Sequence, residues 1–381
     1  MQIIKIGLVA APELPTELAN KLANDLPEYL GHQFGSDVSW EIEVVTDALT
    51  SVAEDADELI NEVHKRRGSK NWNYTICLTD LPIFSENRVV LTDVYLVQDI
   101  ALLSIPAFGW TARRQIKKMI IKVVQEVYDK EPITRIGRKY KAKGDTEKVS
   151  PFTKVRKKKM GGKEGKYLRY LFQSKWGGHL RVLSGMTYAN EPLQIMSSFR
   201  GVIAIAFATG AYGLIFPSLW MLSDAFSVTR LSILSVFAVC IMTIWIIYAH
   251  GLWERSSEKN TKKMRRLYNS ATVFTLLIAV ATYYIALMLL FFVVILFVVP
   301  PELYQTQVGL SAAPDFMNYI KLGWVAASVA TMAGAIGAGL EREERVRNIT
   351  YGYRQNKRHK ELEQAKKEEE RKREVSENRD V

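Results

Sequence analysis

Long uninterrupted apolar runs dominate the second half of the chain. They cover residues 199–222, 231–253, 271–299 and 319–340, and they contain almost no ionisable side chain. A helix of about 20 apolar residues is enough to cross the hydrocarbon core of a bilayer. Each run alone could be a buried helix of a soluble protein, but four in succession exceed what soluble cores use. The pattern therefore predicts an all-α bundle of four transmembrane helices over residues 199–340.

A different pattern fills residues 1–130, where short apolar runs alternate with stretches of helical spacing. The runs typical of strands lie near residues 3–9, 38–45, 74–78, 89–91 and 99–105. The segment 111–128 carries apolar residues three and four positions apart, which is typical of a helix with one buried face. Alternation of strands and helices predicts an α/β domain with a mixed sheet.

Between these regions, residues 131–198 combine basic and aromatic side chains. We interpret them as a basic linker followed by one or two amphipathic helices at the membrane interface. The alternative is that this segment packs against the core of the α/β domain. The residues expected to bind anionic lipid headgroups are Arg156, Lys157, Lys158, Lys159, Phe172 and Trp176. A basic run can also attract nucleic acid, but beside a membrane we expect lipid as the partner and no nucleic acid.

The distribution of charged residues predicts how the transmembrane helices are oriented in the membrane. The net charge is +11 over 381 residues, and lysine and arginine concentrate before the first apolar run and between the second and third. The other two loops carry one basic residue, Arg230, or none. By the positive-inside rule, the protein is expected in the cell membrane with both termini cytoplasmic. Residues 341–381 read as a charged cytoplasmic tail, either a solvated helix or disordered.

A stripe of small residues follows the fourth apolar run, at Ala326, Ala330, Gly334 and Ala338. Small side chains four positions apart let two helices approach closely. The stripe indicates either packing within one bundle or a homodimer interface.

Three Thr-Asp pairs follow predicted strands and place Asp47, Asp80 and Asp93 as candidate catalytic residues. Ligands of open α/β sheets gather at the carboxyl ends of the strands, where carboxylates could hold Mg²⁺ and a phosphate. The alternative is that Thr and Asp end strands because their side chains bond to nearby backbone N–H groups.

Other signatures of chemistry are missing from the sequence. The turn "VAAPELP" after the first strand lacks the glycines of a dinucleotide-binding loop, and the five histidines are scattered without a metal-binding motif. We therefore expect no cofactor and no metal.

Two resemblances to known families can be stated. The stretch "GGHLRVLSGMTYANEPLQIMSSFRG", the four apolar runs and "GAGLEREERVRNITYGYRQNKR" are together similar to a bacterial family of four-span membrane proteins. Its members often carry the label 5,10-methylenetetrahydrofolate dehydrogenase, which would imply folate chemistry. The folate enzymes use a Tyr-x-x-x-Lys pair, but neither Tyr167 nor Tyr170 has a lysine four residues later.

The second resemblance is confined to the N-terminal domain. The order of a strand, "LTDLPIF", a ribbon, a strand and a helix resembles the archaemetzincin-type zinc proteases. In that family the final helix carries the metal ligands. Here the helix reads "ARRQIKKMIIKVVQEV" and contains no histidine.

These observations favour a non-enzymatic membrane protein that presents its cytoplasmic α/β domain as a scaffold, sensor or binding module. The alternative is a membrane-tethered enzyme, hydrolytic or folate-linked, with an acidic site in that domain.

Overall fold

The protein is described here from a computed structural model. The structure describes residues 2–35, 38–48, 50, 60, 63–64, 67–128, 146–150, 153–162, 165–193, 200–254, 262–339, 350–351, 353–354, 357–358, 360 and 364. The chain divides into two compact units. The first contains residues 1–189 and 355–381, and the second contains residues 190–354.

A nine-stranded mixed sheet is the framework of the first unit. Its strands are β1 (Gln2–Ala10), β2 (Val38–Thr46), β3 (Tyr74–Thr79), β4 (Ile83–Ser85), β5 (Arg88–Tyr95), β6 (Ile100–Ser104), β7 (Thr146–Ser150), β8 (Thr153–Gly162) and β9 (Gly165–Phe172). Strands β2, β1, β3 and β6 run parallel in that spatial order, and β5, β9, β8 and β7 continue the sheet as antiparallel neighbours. Strand β4 lies beside this path and pairs with β5. The predicted α/β domain with a mixed sheet is confirmed.

Helices α1 (Leu14–Phe34) and α2 (Ala112–Tyr128) lie side by side on one face of the sheet. Arg113 and Lys117 of α2 both reach the Asp25 carboxylate of α1. On the opposite face, Ile60, Val63 and Trp72 pack with strand residues such as Cys77.

The predicted basic linker is wrong where the structure describes it, from residue 146 onward, and its first part, residues 131–145, lies outside the described residues. Arg156, Lys157, Lys158 and Lys159 lie in β8, and Phe172 ends β9. The spacing of apolar residues in "GKYLRYLF" fits a helix and a strand equally well. Strand β5 has an edge open to a further strand, and backbone hydrogen bonds along that edge stabilise this segment as a strand. The first unit therefore extends to residue 189, whereas the predicted domain ended at residue 130.

A third helix, α3 (Lys175–Ala189), completes this part of the domain, close to where interfacial helices were expected. Its Val182 and Met186 are buried. Gly185 faces the 3₁₀ turn at Ile105–Thr111 so closely that a Cβ atom there would lie 2.3 Å from the Pro106 carbonyl oxygen. The inner side of α3 therefore packs within the unit, as the alternative interpretation required, and only its outer side is available for lipid.

In the residues that the structure describes, the second unit is built from helices. They are α4 (Arg200–Gly213), α5 (Pro217–Ala225), α6 (Val228–Ala249), α7 (Lys262–Val298), α8 (Pro301–Val308) and α9 (Phe316–Ala338). Three of them, α6, α7 and α9, are long and apolar enough to cross a membrane. Helix α7 has 37 residues, about 55 Å, because it continues through the basic residues that precede the third apolar run.

The first predicted span is not one straight helix. It is broken between Gly213 and Pro217, and the axes of α4 and α5 differ by 91°. Pro217 cannot donate a helical hydrogen bond, and its ring disfavours a helical conformation at the preceding residue. The indole N–H of Trp220 donates to the carbonyl of Leu214, 2.9 Å away, and so satisfies one of the groups that the break leaves open.

Hydroxyl groups connect the three long helices near their centres. The Tyr284 hydroxyl of α7 lies 2.9 Å from the Ser235 hydroxyl of α6 and 2.8 Å from the Ser328 hydroxyl of α9. The Trp324 indole of α9 donates to the same Ser235 oxygen. Polar groups between apolar helices are stabilising when each finds a partner, and these contacts link α6, α7 and α9.

The small-residue stripe of α9 lies inside this bundle. Ala326, Ala330 and Ala338 are fully buried, and a Cβ atom at Gly334 would meet the Tyr283 hydroxyl at 2.8 Å and Ala206 at 2.9 Å. The stripe thus serves packing within the unit. The homodimer interface expected at the same four residues stays a prediction.

Candidate functional site

The topology of the parallel strands marks one end of the sheet as the place for a ligand. Strand β1 lies between β2 and β3, so successive strands are added on opposite sides of it. Connections that leave in opposite directions open a crevice outside the carboxyl ends of the two central strands. Here that crevice lies where β1 leads into Pro12 and Glu13 and where β3 leads into Asp80.

Arg358 occupies this crevice. Its Nη1 atom donates to Asp80 Oδ2 at 2.7 Å, and its Nη2 atom lies 3.2 Å from Glu13 Oε2. Nη2 also donates to the Pro12 carbonyl oxygen at 3.5 Å. The Asp80 and Arg358 side chains are each only 5% exposed, whereas Glu13 is 52% exposed. The ion pair between Asp80 and Arg358 is therefore enclosed, and Glu13 lies at its boundary with solvent.

The strand ends around the crevice are fixed by backbone hydrogen bonds. The Ala11 amide donates to the Leu78 carbonyl at 2.9 Å, and the Asp47 amide donates to the Ala10 carbonyl at 2.8 Å. The Thr16 hydroxyl, in the first turn of α1, donates to the Ala11 carbonyl. These bonds hold the three loops of the crevice in register with one another.

Glu13 has an unusual backbone conformation, with φ 69° and ψ −130°. This region is open to glycine but strained for a residue with a side chain. The conformation lets the chain turn sharply from β1 into α1 and places the Pro12 carbonyl and the Glu13 carboxylate on the same guanidinium.

The three candidate aspartates do not come together. Asp47 and Asp80 lie at the same carboxyl edge, two strands apart, as the sequence predicted. Asp93 is different, because β5 runs on to Tyr95 and leaves it within the strand, opposite Leu102. Asp93 and Cys77 both pair with Leu102, so they lie at the same level of the sheet, two strands apart. The backbone of Asp93 is therefore about 10 Å from that of Asp80 across the strands and about 10 Å along them.

Asp93 forms its own buried ion pair. The Arg169 side chain of β9, directly opposite in the register, donates from Nε and Nη2 to the two Asp93 oxygens, both at 2.8 Å. Burial raises the pKa of the Asp93 carboxyl, although Arg169 acts in the opposite direction. The hydrogen bonds to Asp93 raise the pKa of Arg169. A carboxylate with both oxygens held in this way joins two strands and is not poised to react.

The residues expected to bind lipid are partly engaged within the unit. Lys157 reaches Glu126 of α2 at 2.5 Å, Lys158 lies 3.4 Å from Glu86, and Phe172 is only 7% exposed. Arg156 and Lys159 are exposed on β8, and Trp176 of α3 is 85% exposed.

Comparison of the chain with protein-family models, with curated proteins and with solved structures gave no match. Among the described residues, no group of three or more His, Cys, Asp and Glu side chains could hold a metal ion.

Sequence reasoning missed Arg358. It lies 278 positions after Asp80, in a segment rich in lysine and arginine, and no local spacing distinguishes it from its neighbours. Asp80 gave a weak signal, because a buried carboxylate at a strand end requires a cationic or hydrogen-bonding partner.

Proposed function

We propose that the chain is an integral protein of the cell membrane, with four crossings and both termini in the cytoplasm, and that its α/β domain acts as a binding module of the scaffold or sensor type. The observation that carries this proposal is the ion pair between Asp80 and Arg358. It joins the domain that precedes the apolar helices to the segment that follows them. The crevice at the switch point of the sheet is filled by a protein side chain, which favours recognition of another protein over catalysis.

The same ion pair supports the number of crossings. Asp80 precedes the first apolar helix and Arg358 follows the last, so their contact requires both to lie on one side of the membrane. That condition requires an even number of crossings. Helices α6, α7 and α9 supply three, and the bent pair α4–α5 supplies the fourth as a broken span. Helix α4 alone, about 21 Å long, is too short for a hydrocarbon core of about 30 Å.

The side of the membrane follows from charge. Residues 255–267 carry six basic residues, whereas the loop between α8 and α9 carries none. The positive-inside rule places the first loop in the cytoplasm and the second outside.

Labelling with a membrane-impermeant thiol reagent tests this orientation. In a chain whose Cys77 and Cys240 are replaced by serine, Ser311→Cys should react in intact cells. Ser257→Cys should react only after the membrane is permeabilised. Labelling in the opposite order would contradict the proposed orientation, and labelling of both in intact cells would contradict the number of crossings.

We further propose that the outer side of α3 and the exposed residues of β8 contact anionic lipid. Trp176 and Leu180 are exposed on α3, and Arg156, Lys158 and Lys159 are exposed on β8. An indole can insert at the headgroup level while each nearby basic residue adds about 1 kcal/mol of attraction to an anionic surface.

The lipid contact can be followed with a polarity-sensitive fluorophore on Trp176→Cys in the full chain, without its native cysteines, reconstituted in nanodiscs. Anionic lipid should shield the probe from an aqueous quencher, and added salt should reverse the shielding within the range where the Debye length falls below about 10 Å. Replacing Arg156, Lys158 and Lys159 with glutamine should abolish the response. A probe on Tyr29→Cys of α1 is the control, and equal shielding at both positions or in neutral lipid would contradict the electrostatic contact.

A further inference from the structure

The crevice at the carboxyl edge holds one particular chemical group, the guanidinium of Arg358. We propose that Pro12, Glu13 and Asp80 form an arginine-recognition site, which Arg358 fills in this chain and which accepts an arginine of a partner protein when the C-terminal segment withdraws. This inference rests on the proposed role as a binding module and names the group that the module binds.

The arrangement of acceptors selects a guanidinium. Two different nitrogens of Arg358 are used, Nη1 for Asp80 and Nη2 for Glu13 and the Pro12 carbonyl oxygen. A guanidinium presents such donors in a rigid planar fork, whereas a lysine ammonium is a single point that cannot reach all three acceptors with the same geometry. The site is therefore expected to discriminate arginine from lysine.

The resident arginine leaves the site incompletely satisfied, which makes it replaceable. Asp80 Oδ1 is enclosed and has no hydrogen-bond partner among the described residues, since Arg358 uses only the other oxygen. A buried carboxylate oxygen without a donor is unfavourable. An arginine that approaches Asp80 with two parallel N–H groups would satisfy both oxygens, which is the strongest geometry available to this pair of groups.

The position and the backbone of the crevice also indicate binding. It lies at the switch point of the parallel sheet, where ligands of such sheets are held. Glu13 keeps a strained backbone that aims its carboxylate and the Pro12 carbonyl at the guanidinium. The Glu13 side chain is half-exposed and gives a route from solvent into the otherwise buried pair.

Chemical rescue of the full chain in detergent tests the site. Arg358→Ala should lower the midpoint of thermal unfolding, and N-acetyl-arginine amide should restore at least half of that loss with a saturable dependence on concentration. N-acetyl-lysine amide should restore little. The unaltered chain should bind N-acetyl-arginine amide about tenfold more weakly or worse, because its site is already filled in most molecules. Lys357→Ala, at the exposed neighbouring position, is the matched control and should show no rescue.

A second substitution assigns the rescue to the crevice. Adding Asp80→Asn to Arg358→Ala should abolish it, and adding Glu13→Gln should weaken it in a chain that keeps the buried Asp80. Rescue that persists in both double variants, equal rescue by the lysine compound, or no rescue of a folded Arg358→Ala chain would each overturn the inference. Thiol labelling of Ser311→Cys in the Arg358→Ala chain tests the proposed membrane orientation separately from the arginine site. If the labelling is unchanged and no rescue occurs, only the arginine-recognition proposal is contradicted.

Discussion

Replacing Arg169 with glutamine is expected to lower the free energy of unfolding of the α/β domain by about 3–5 kcal/mol, the usual effect of removing one partner from a buried ion pair. Asp93 is enclosed between β5 and its neighbours, and both its oxygens depend on Arg169. Without the guanidinium, an ionised carboxylate would remain buried beside an amide that cannot neutralise it.

The loss should depend on pH with a definite sign. Burial already raises the pKa of Asp93, whereas the hydrogen bonds and the positive charge of Arg169 lower it. Without Arg169, the pKa of Asp93 should therefore rise further. The folded variant therefore holds a proton on Asp93 at pH values where the unfolded chain has released it. Its stability should fall as pH rises from the unfolded pKa through the raised pKa of the folded state, so the loss is smallest in acid.

Urea unfolding of the full chain in detergent, followed by pulse proteolysis of the domain, measures this effect. Lys158→Gln is a suitable control because Lys158 lies beside Arg169 in the sheet but pairs with Glu86 at the surface. Exposed pairs contribute about 0–1 kcal/mol. A loss for Arg169→Gln no greater than that of the control would show that the buried pair does not hold the two strands together.

Replacing Gly185 with alanine is expected to destabilise the same domain by about 3 kcal/mol, at the upper end for overpacked positions. The new methyl group would lie 2.3 Å from the Pro106 carbonyl oxygen and 2.8 Å from the Pro106 Cα atom. Both obstacles are backbone atoms of the 3₁₀ turn, so no side-chain rotation can relieve the contact. Helix α3 would have to move away from the domain, and its buried Val182 and Met186 would lose contacts.

Gly31→Ala is the matched control for this second prediction. Gly31 lies inside α1, and a Cβ atom there would meet nothing within 4 Å. Alanine is favoured over glycine within helices by about 1 kcal/mol, so the same substitution should be neutral or stabilising here. The measurement is the thermal unfolding of the α/β domain in both variants. Shifts of the unfolding midpoint with the same sign and size for Gly185→Ala and Gly31→Ala would contradict the packing argument.

Several parts of the structure followed from local patterns. The apolar runs were sufficient for α6, α7 and α9, because the number of apolar residues needed to cross a bilayer is set by its thickness. Short apolar runs bounded by turn residues, such as those around Ile76 and Leu102, were sufficient to predict the strands of the parallel sheet. The placement of Asp47 and Asp80 at one edge followed from the rule that parallel strands end together.

Other parts depended on partners that are remote in the sequence. Whether residues 165–172 form a strand or a helix was decided by the free edge of β5 and by Asp93, which needs Arg169. The packing of the stripe containing Gly334 within its own bundle depends on Tyr283 and Ala206, which lie against it. For residues 165–172 the local spacing allows two answers, and contacts made by another element select one.

The sequence by itself therefore determined that the chain has an α/β domain followed by helices long and apolar enough to cross a membrane, because hydrophobic length and periodicity are properties of each segment alone. The tertiary structure alone decided which groups meet at the candidate site. Arg358 reaches Asp80 across 278 positions, and nothing in the residues around either of them specifies the other. A buried charge requires a partner of opposite sign, but that requirement does not say from which part of the chain the partner comes.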